Sequence, residues 1–82
     1  MPKFIITLKP MAADQVMTAC SSVLQAAGEG LKMDWAYVDD DTHQPLCCWD
    51  APDRAAIEDL FKRAGQETES IRNVRVFKAP TG

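Results

Sequence analysis

Eighty-two residues make one domain with a thin core, so self-association is expected to add stability. Apolar residues at 46% and charged residues at 26% fit a soluble globular chain, and no apolar run is long enough to span a bilayer. A net charge of −3 with no basic cluster disfavours nucleic acid as a partner, because phosphate neutralisation supplies most of that affinity.

Met1-Pro2-Lys3-Phe4 enters a strand pattern directly, without a signal-peptide apolar segment and cleavage site. A cytoplasmic protein is expected. From Lys3 to Lys9, Phe4, Ile6 and Leu8 share one face, and Ile5 and Thr7 share the other. Pro10 ends this strand. Met11 to Ala27 carries Ala13, Val16, Met17, Cys20, Val23, Leu24 and Ala27 at helical spacing, and Gly28 and Gly30 follow as stop signals. Leu31 to Val38 alternates again, with Leu31, Met33, Trp35 and Tyr37 on one face. Asp39-Asp40-Asp41-Thr42-His43-Gln44 reads as a polar connection between antiparallel strands. Leu46 to Asp50 is a short strand whose two faces are Leu46 and Cys48 against Cys47 and Trp49.

Asp53 is placed to cap a second helix, with Ile57, Leu60, Phe61 and Ala64 as its buried stripe and Gly65 as its stop. Glu58–Lys62 and Asp59–Arg63 are acid-before-base pairs at favourable spacing. Ser70 to Lys78 alternates as the last strand, and Ala79 to Gly82 is a tail.

Strand, helix, strand, strand, helix, strand is the order of the ferredoxin-like βαββαβ plait, an α+β fold. Its four-stranded antiparallel sheet carries both helices on one face and leaves the other open. On that open face the expected residues are Thr7, Met33, Trp35, Tyr37, Cys47, Trp49 and Phe77. A face that apolar is a liability in a monomer. A homodimer is therefore expected, sheet face to sheet face in the manner of a dimeric α/β barrel, with a small-ligand pocket between the sheets.

The odd count of cysteines, Cys20, Cys47 and Cys48, and the absence of a C-x-x-C motif favour reduced, mostly buried thiols. A reactive Cys47 would need a nearby cation, for which Lys9 and Arg75 are the candidates. The Asp39–Asp41 run lacks the spacing of a calcium loop and reads as a solvated turn. His43 with Cys47 could supply two metal ligands, short of a complete site. An enzyme on this fold would draw its acid or base from Asp34, Tyr37 or Asp50.

Several pieces together resemble a family of small ferredoxin-like proteins of unknown function, some members of which are described as nickel-binding. They are Met1-Pro2-Lys3-Phe4-Ile5, Trp35-Ala36-Tyr37-Val38 before the Asp-rich turn, Cys47, Ala51-Pro52-Asp53 with Ala56-Ile57, Arg63-Ala64-Gly65, and Ile71 with Val74. The resemblance covers nearly the whole chain. It implies a dimer built on open sheet faces and, in some members, a histidine-rich nickel site. At the histidine positions of that pattern this chain has Leu8-Lys9-Pro10, Trp35 and Gln66, and only Cys47 matches. Nickel favours imidazole and thiolate ligands, so weak metal binding or none is the expectation. A small-ligand binding module is the leading reading. Nickel or another transition metal at Cys47 and His43 is the alternative, and a monooxygenase- or isomerase-like enzyme the second.

Overall fold

The structure is a computed structural model and describes residues 1–77. Its elements are β1 (Lys3–Leu8), α1 (Ala13–Ala26), β2 (Lys32–Val38), β3 (Pro45–Asp50), α2 (Arg54–Arg63) and β4 (Thr68–Val74). The strands form one antiparallel sheet in the order β2-β3-β1-β4, which is the ferredoxin-like arrangement. Both helices lie over one face.

Register decides which side chains meet the helices. Phe4 stands opposite Trp49, and Ile6 stands opposite both Cys47 and Ile71. Opposed residues share a face, so Phe4, Ile6, Leu8, Cys47, Trp49 and Ile71 point toward the helices. There they close a core with Val23, Ile57, Leu60 and Phe61. The largest member is Trp49, whose ring meets Phe61 edge-on at 6.4 Å. Its indole N–H is buried without a hydrogen-bond partner.

The helices end as their residues dictate. The Asp53 side chain accepts a bond from the Ala56 N–H at 2.8 Å and so caps α2. At the other end the Gly65 N–H donates to Lys62 and the Gln66 N–H to Phe61, with Gly65 at φ +73°. This double closure requires a left-handed residue, which glycine adopts without a Cβ clash. Helix α1 buries Val16, Ala19 and Val23, a narrower stripe than the spacing suggests, and Met17 and Leu24 are exposed. On α2, Asp59 pairs with Arg63 as expected, but Glu58 pairs with Arg54 rather than Lys62.

Two strand assignments change. Between Met33 and Trp35 the pairing with β3 slips by one residue, a bulge at Asp34. Met33 falls opposite Trp49 and packs on the core, whereas Trp35 and Tyr37 fall opposite Cys48 and Leu46 on the open face. The perfect alternation of Leu31, Met33, Trp35 and Tyr37 thus spans two faces. The last strand ends at Val74 rather than Lys78. Its partner β1 begins at Lys3, opposite Val74, so the chain has no strand left for residues 75–77. Lys78 lies outside the described residues.

Candidate functional site

The open face is built in rows across the sheet. One row is Trp35, Cys48, Ile5 and Arg72; the next is Tyr37, Leu46, Thr7 and Ser70. A third joins Lys32, Asp50, Lys3 and Val74. The first two rows are mostly apolar, and no helix covers them. Trp35 is 59% exposed and Tyr37 54% exposed, their rings 5.6 Å apart and tilted by 40°. A depression of about 880 Å³ opens here, bordered by Ile5, Trp35, Tyr37, Leu46, Cys47, Cys48 and Val74 together with Lys3, Asp34, Arg75 and Val76.

One end of the depression is polar. The Lys3 ammonium donates to the carboxylates of both Asp34 and Asp50, the latter at 2.8 Å. These two hydrogen bonds, Asp34 first, raise the Lys3 pKa above its ordinary value. Lys3 therefore keeps its proton and is not a base. The bulge at Asp34 is what brings this carboxylate onto Lys3, so one local irregularity sets both the aromatic face and its charged end.

The expected site residues divide. Thr7, Trp35 and Tyr37 lie on the open face, and the two aromatics line the depression. Met33 and Trp49 pack into the core and do not line the depression, which corrects the sequence-based expectation for both; Cys47 is buried in the core and touches the depression only from beneath the sheet's apolar floor. Phe77 follows the end of β4 and is 81% exposed. The Cys47 thiol lies against the Ile6 carbonyl at 3.9 Å, and burial pushes its pKa up to about 12. It is an unreactive core thiol at neutral pH. Neither cation considered as its activator serves: Lys9 is held by Glu67 at 2.8 Å, and burial, not a neighbouring cation, sets the thiol's pKa.

His43 belongs to the turn between β2 and β3, at φ +61°, where its N–H donates to the Asp39 carbonyl at 2.7 Å. Asp39 organises this turn. Its side chain accepts the N–H groups of Asp41 at 2.8 Å and Thr42 at 3.1 Å, and these bonds lower its pKa. The acidic run is a hydrogen-bonded turn. Among the described residues no three His, Cys, Asp or Glu side chains converge to hold a metal ion.

Sequence reasoning placed Ile5 on the outward face of the first strand, but missed Leu46, Cys48 and Val74 as floor residues and the Lys3–Asp34–Asp50 cluster. The register of β1 against β3 carries the information for Leu46 and Cys48, because Phe4 and Ile6 in the core oblige their partners Trp49 and Cys47 to follow. No local pattern announces the bulge.

No protein-family model matches the chain, and no curated protein does. Among solved structures, the crystal structure of SCO4226 from Streptomyces coelicolor A3(2) is similar, with a TM-score of 0.77 and 20% sequence identity. The match covers 93% of this chain and 99% of that one. It supports the ferredoxin-like fold over essentially the whole domain. No helix among the described residues is long and apolar enough to cross a membrane.

Proposed function

We propose that the chain is a homodimeric small-ligand binding module that uses its open sheet face. The observation that carries this reading is the pair Trp35 and Tyr37, held exposed over an apolar depression of about 880 Å³ on an uncovered sheet. Large apolar side chains gathered on one face mark an interaction site. Two such faces brought together would convert two shallow depressions into an enclosed space of the size small molecules occupy. The floor is apolar and aromatic, so the ligand is a flat, largely apolar molecule. The Lys3–Asp34–Asp50 cluster offers it a polar anchor at one end.

Two measurements on tag-free protein test the proposal. Sedimentation velocity reads the dimer, and titration with 1-anilinonaphthalene-8-sulfonate, a flat apolar probe, reads the pocket. The expected result is a dimer that binds the probe, with Trp35→Asp lowering both dimerisation and binding. Probe binding that ignores Trp35→Asp would remove the open face from consideration. The nickel alternative is checked in the same preparation by native mass spectrometry with added nickel; the buried Cys47 and the hydrogen-bonded His43 turn predict no stoichiometric uptake.

A further inference from the structure

Resting on the pocket reading above, we propose that the ligand is a flat aromatic acid, its rings on Trp35 and the apolar floor and its carboxylate on Arg75, with Arg72 behind it. The depression is bordered by two cations, Lys3 and Arg75, in different states. Lys3 is already engaged, because its ammonium donates to both Asp34 and Asp50. One ammonium against two carboxylates leaves that cluster net negative. It suits a hydrogen-bonding group of the ligand and not an anionic one. Arg75 is exposed at the border of the depression and is in no ion pair among the described residues. Arg72 stands opposite Ile5, on the same open face, and is likewise in no ion pair among them. A guanidinium presents a planar fork of donors that meets a carboxylate with two parallel bonds.

The remaining charges place the acid group at the same end. Where β1 and β2 begin and β3 and β4 finish stand Lys3, Lys32 and Arg75, with Arg72 one row in. Against them are Asp34, Asp50 and, in the loop before β2, Glu29; Asp53 and Arg54 at the start of α2 offset each other. This end is net positive in a chain of net charge −3. The opposite end carries the Asp39–Asp41 turn with Glu67 and Glu69, and its Lys9 is bound to Glu67. The sign of the face therefore changes along the strands, and an anion is favoured only toward Arg75.

The dimensions suit a small aromatic body. With the strand order β2-β3-β1-β4, Trp35 and the β4 edge are three strand spacings apart, about 14 Å at roughly 4.8 Å each. The reach of the two side chains takes up part of that distance, and the rest accommodates one or two rings with a single acid group. The Trp35 and Tyr37 rings, tilted by 40°, offer those rings aromatic faces and edges at the far end.

Calorimetric titration with three probes of one shape reads the charge: 2-naphthoate, 2-naphthamide and 2-naphthylmethylammonium. The proteins are the full chain, Arg75→Gln and Arg72→Gln, each checked for folding by circular dichroism. The full chain is expected to bind naphthoate about tenfold or more tighter than naphthamide, the margin of a charge-assisted over a neutral hydrogen bond, and the ammonium most weakly. Arg75→Gln should weaken naphthoate about tenfold and leave naphthamide within about twofold, and Arg72→Gln should weaken naphthoate by a smaller factor. Naphthamide or the ammonium binding as tightly as naphthoate overturns the acid site. So does naphthoate binding unmoved by Arg75→Gln, or naphthamide lost in step with it. Uptake of 1-anilinonaphthalene-8-sulfonate without any naphthyl probe also overturns it. All of these leave the apolar pocket standing. A full chain that binds none of the four probes instead removes the pocket reading on which this one rests.

Discussion

Trp49→Ala and Trp35→Ala should separate the two sheet faces by their energetics. Trp49 is 1% exposed, so folding removes nearly its whole side chain from water. A buried tryptophan covers up to about 250 Å², which at about 25 cal/mol per Å² gives roughly 6 kcal/mol as an upper bound. Large-to-small replacements in cores typically cost about 3–5 kcal/mol, including the cavity left behind. A domain of this length has on the order of 4–12 kcal/mol in total. Trp49→Ala should therefore leave the chain close to unfolding, with loss of the edge contact to Phe61 as part of the cost. Trp35 is 59% exposed, so the same arithmetic on its covered part gives at most about 2–3 kcal/mol, and roughly 1 kcal/mol after relaxation. Urea unfolding followed by far-ultraviolet circular dichroism measures both, at two protein concentrations. Trp49→Ala should lower stability equally at each. Trp35→Ala should cost more at the higher concentration, where the full chain gains from association. Equal costs, or a tolerated Trp49→Ala, would refute the register assigned to β3 and with it the composition of the open face.

Other outcomes follow from single contacts. Asp53→Ala should cost about 1 kcal/mol, read as a shift in urea midpoint, because the Ala56 N–H loses its acceptor. Gly65→Ala should cost about 1–2 kcal/mol, since φ +73° forces a Cβ into the left-handed region even though open space surrounds it. Cys47 should resist alkylation by iodoacetamide at pH 8 in native protein and react once urea unfolds the chain, its folded pKa of about 12 lying far above that pH. Asp39 has a folded pKa below its unfolded value, so its contribution is present above the ordinary carboxylate range and lost as pH falls through the folded pKa. The stability gap between the full chain and Asp39→Ala, measured by thermal unfolding, should accordingly be open at pH 6 and narrow toward pH 2.

How much of this was legible in the chain depends on the distance over which each feature is decided. Phe4, Ile6 and Leu8, the Asp53 cap and the Gly65 stop are set by neighbours a few residues away, and the element order followed from them. The facing of β3 is decided farther off. It is a central strand with Cys47, Cys48 and Trp49 all buried, so both of its faces read as apolar and alternation carries no sign. Only pairing with Phe4 shows that Trp49 belongs to the core. On β2 the bulge at Asp34 lets Met33 fill space under the helices and Trp35 lie on the opposite face. A uniform period of two conceals such a change of phase. The end of β4 was misjudged for a related reason: a strand stops where its partner stops, and the partner β1 lies more than sixty residues earlier in the chain.

The consequence for function is a change in the membership of the site and in its chemistry. With Cys47 and Trp49 in the core, the thiol on the open face is that of Cys48, itself buried, and the face's character is set by Trp35, Tyr37, Ile5 and Leu46 with one charged cluster at its end. That is a surface suited to a second apolar face and to a flat ligand between them.

The measurement that tests this account most directly is sedimentation velocity of the full chain and of Trp35→Asp over a wide concentration range, with folding confirmed by circular dichroism. The account predicts a two-chain species for the full chain and a folded single-chain species for Trp35→Asp. A full chain that sediments as a single species of one chain at every concentration, or a Trp35→Asp dimer as tight as the full chain's, would contradict it.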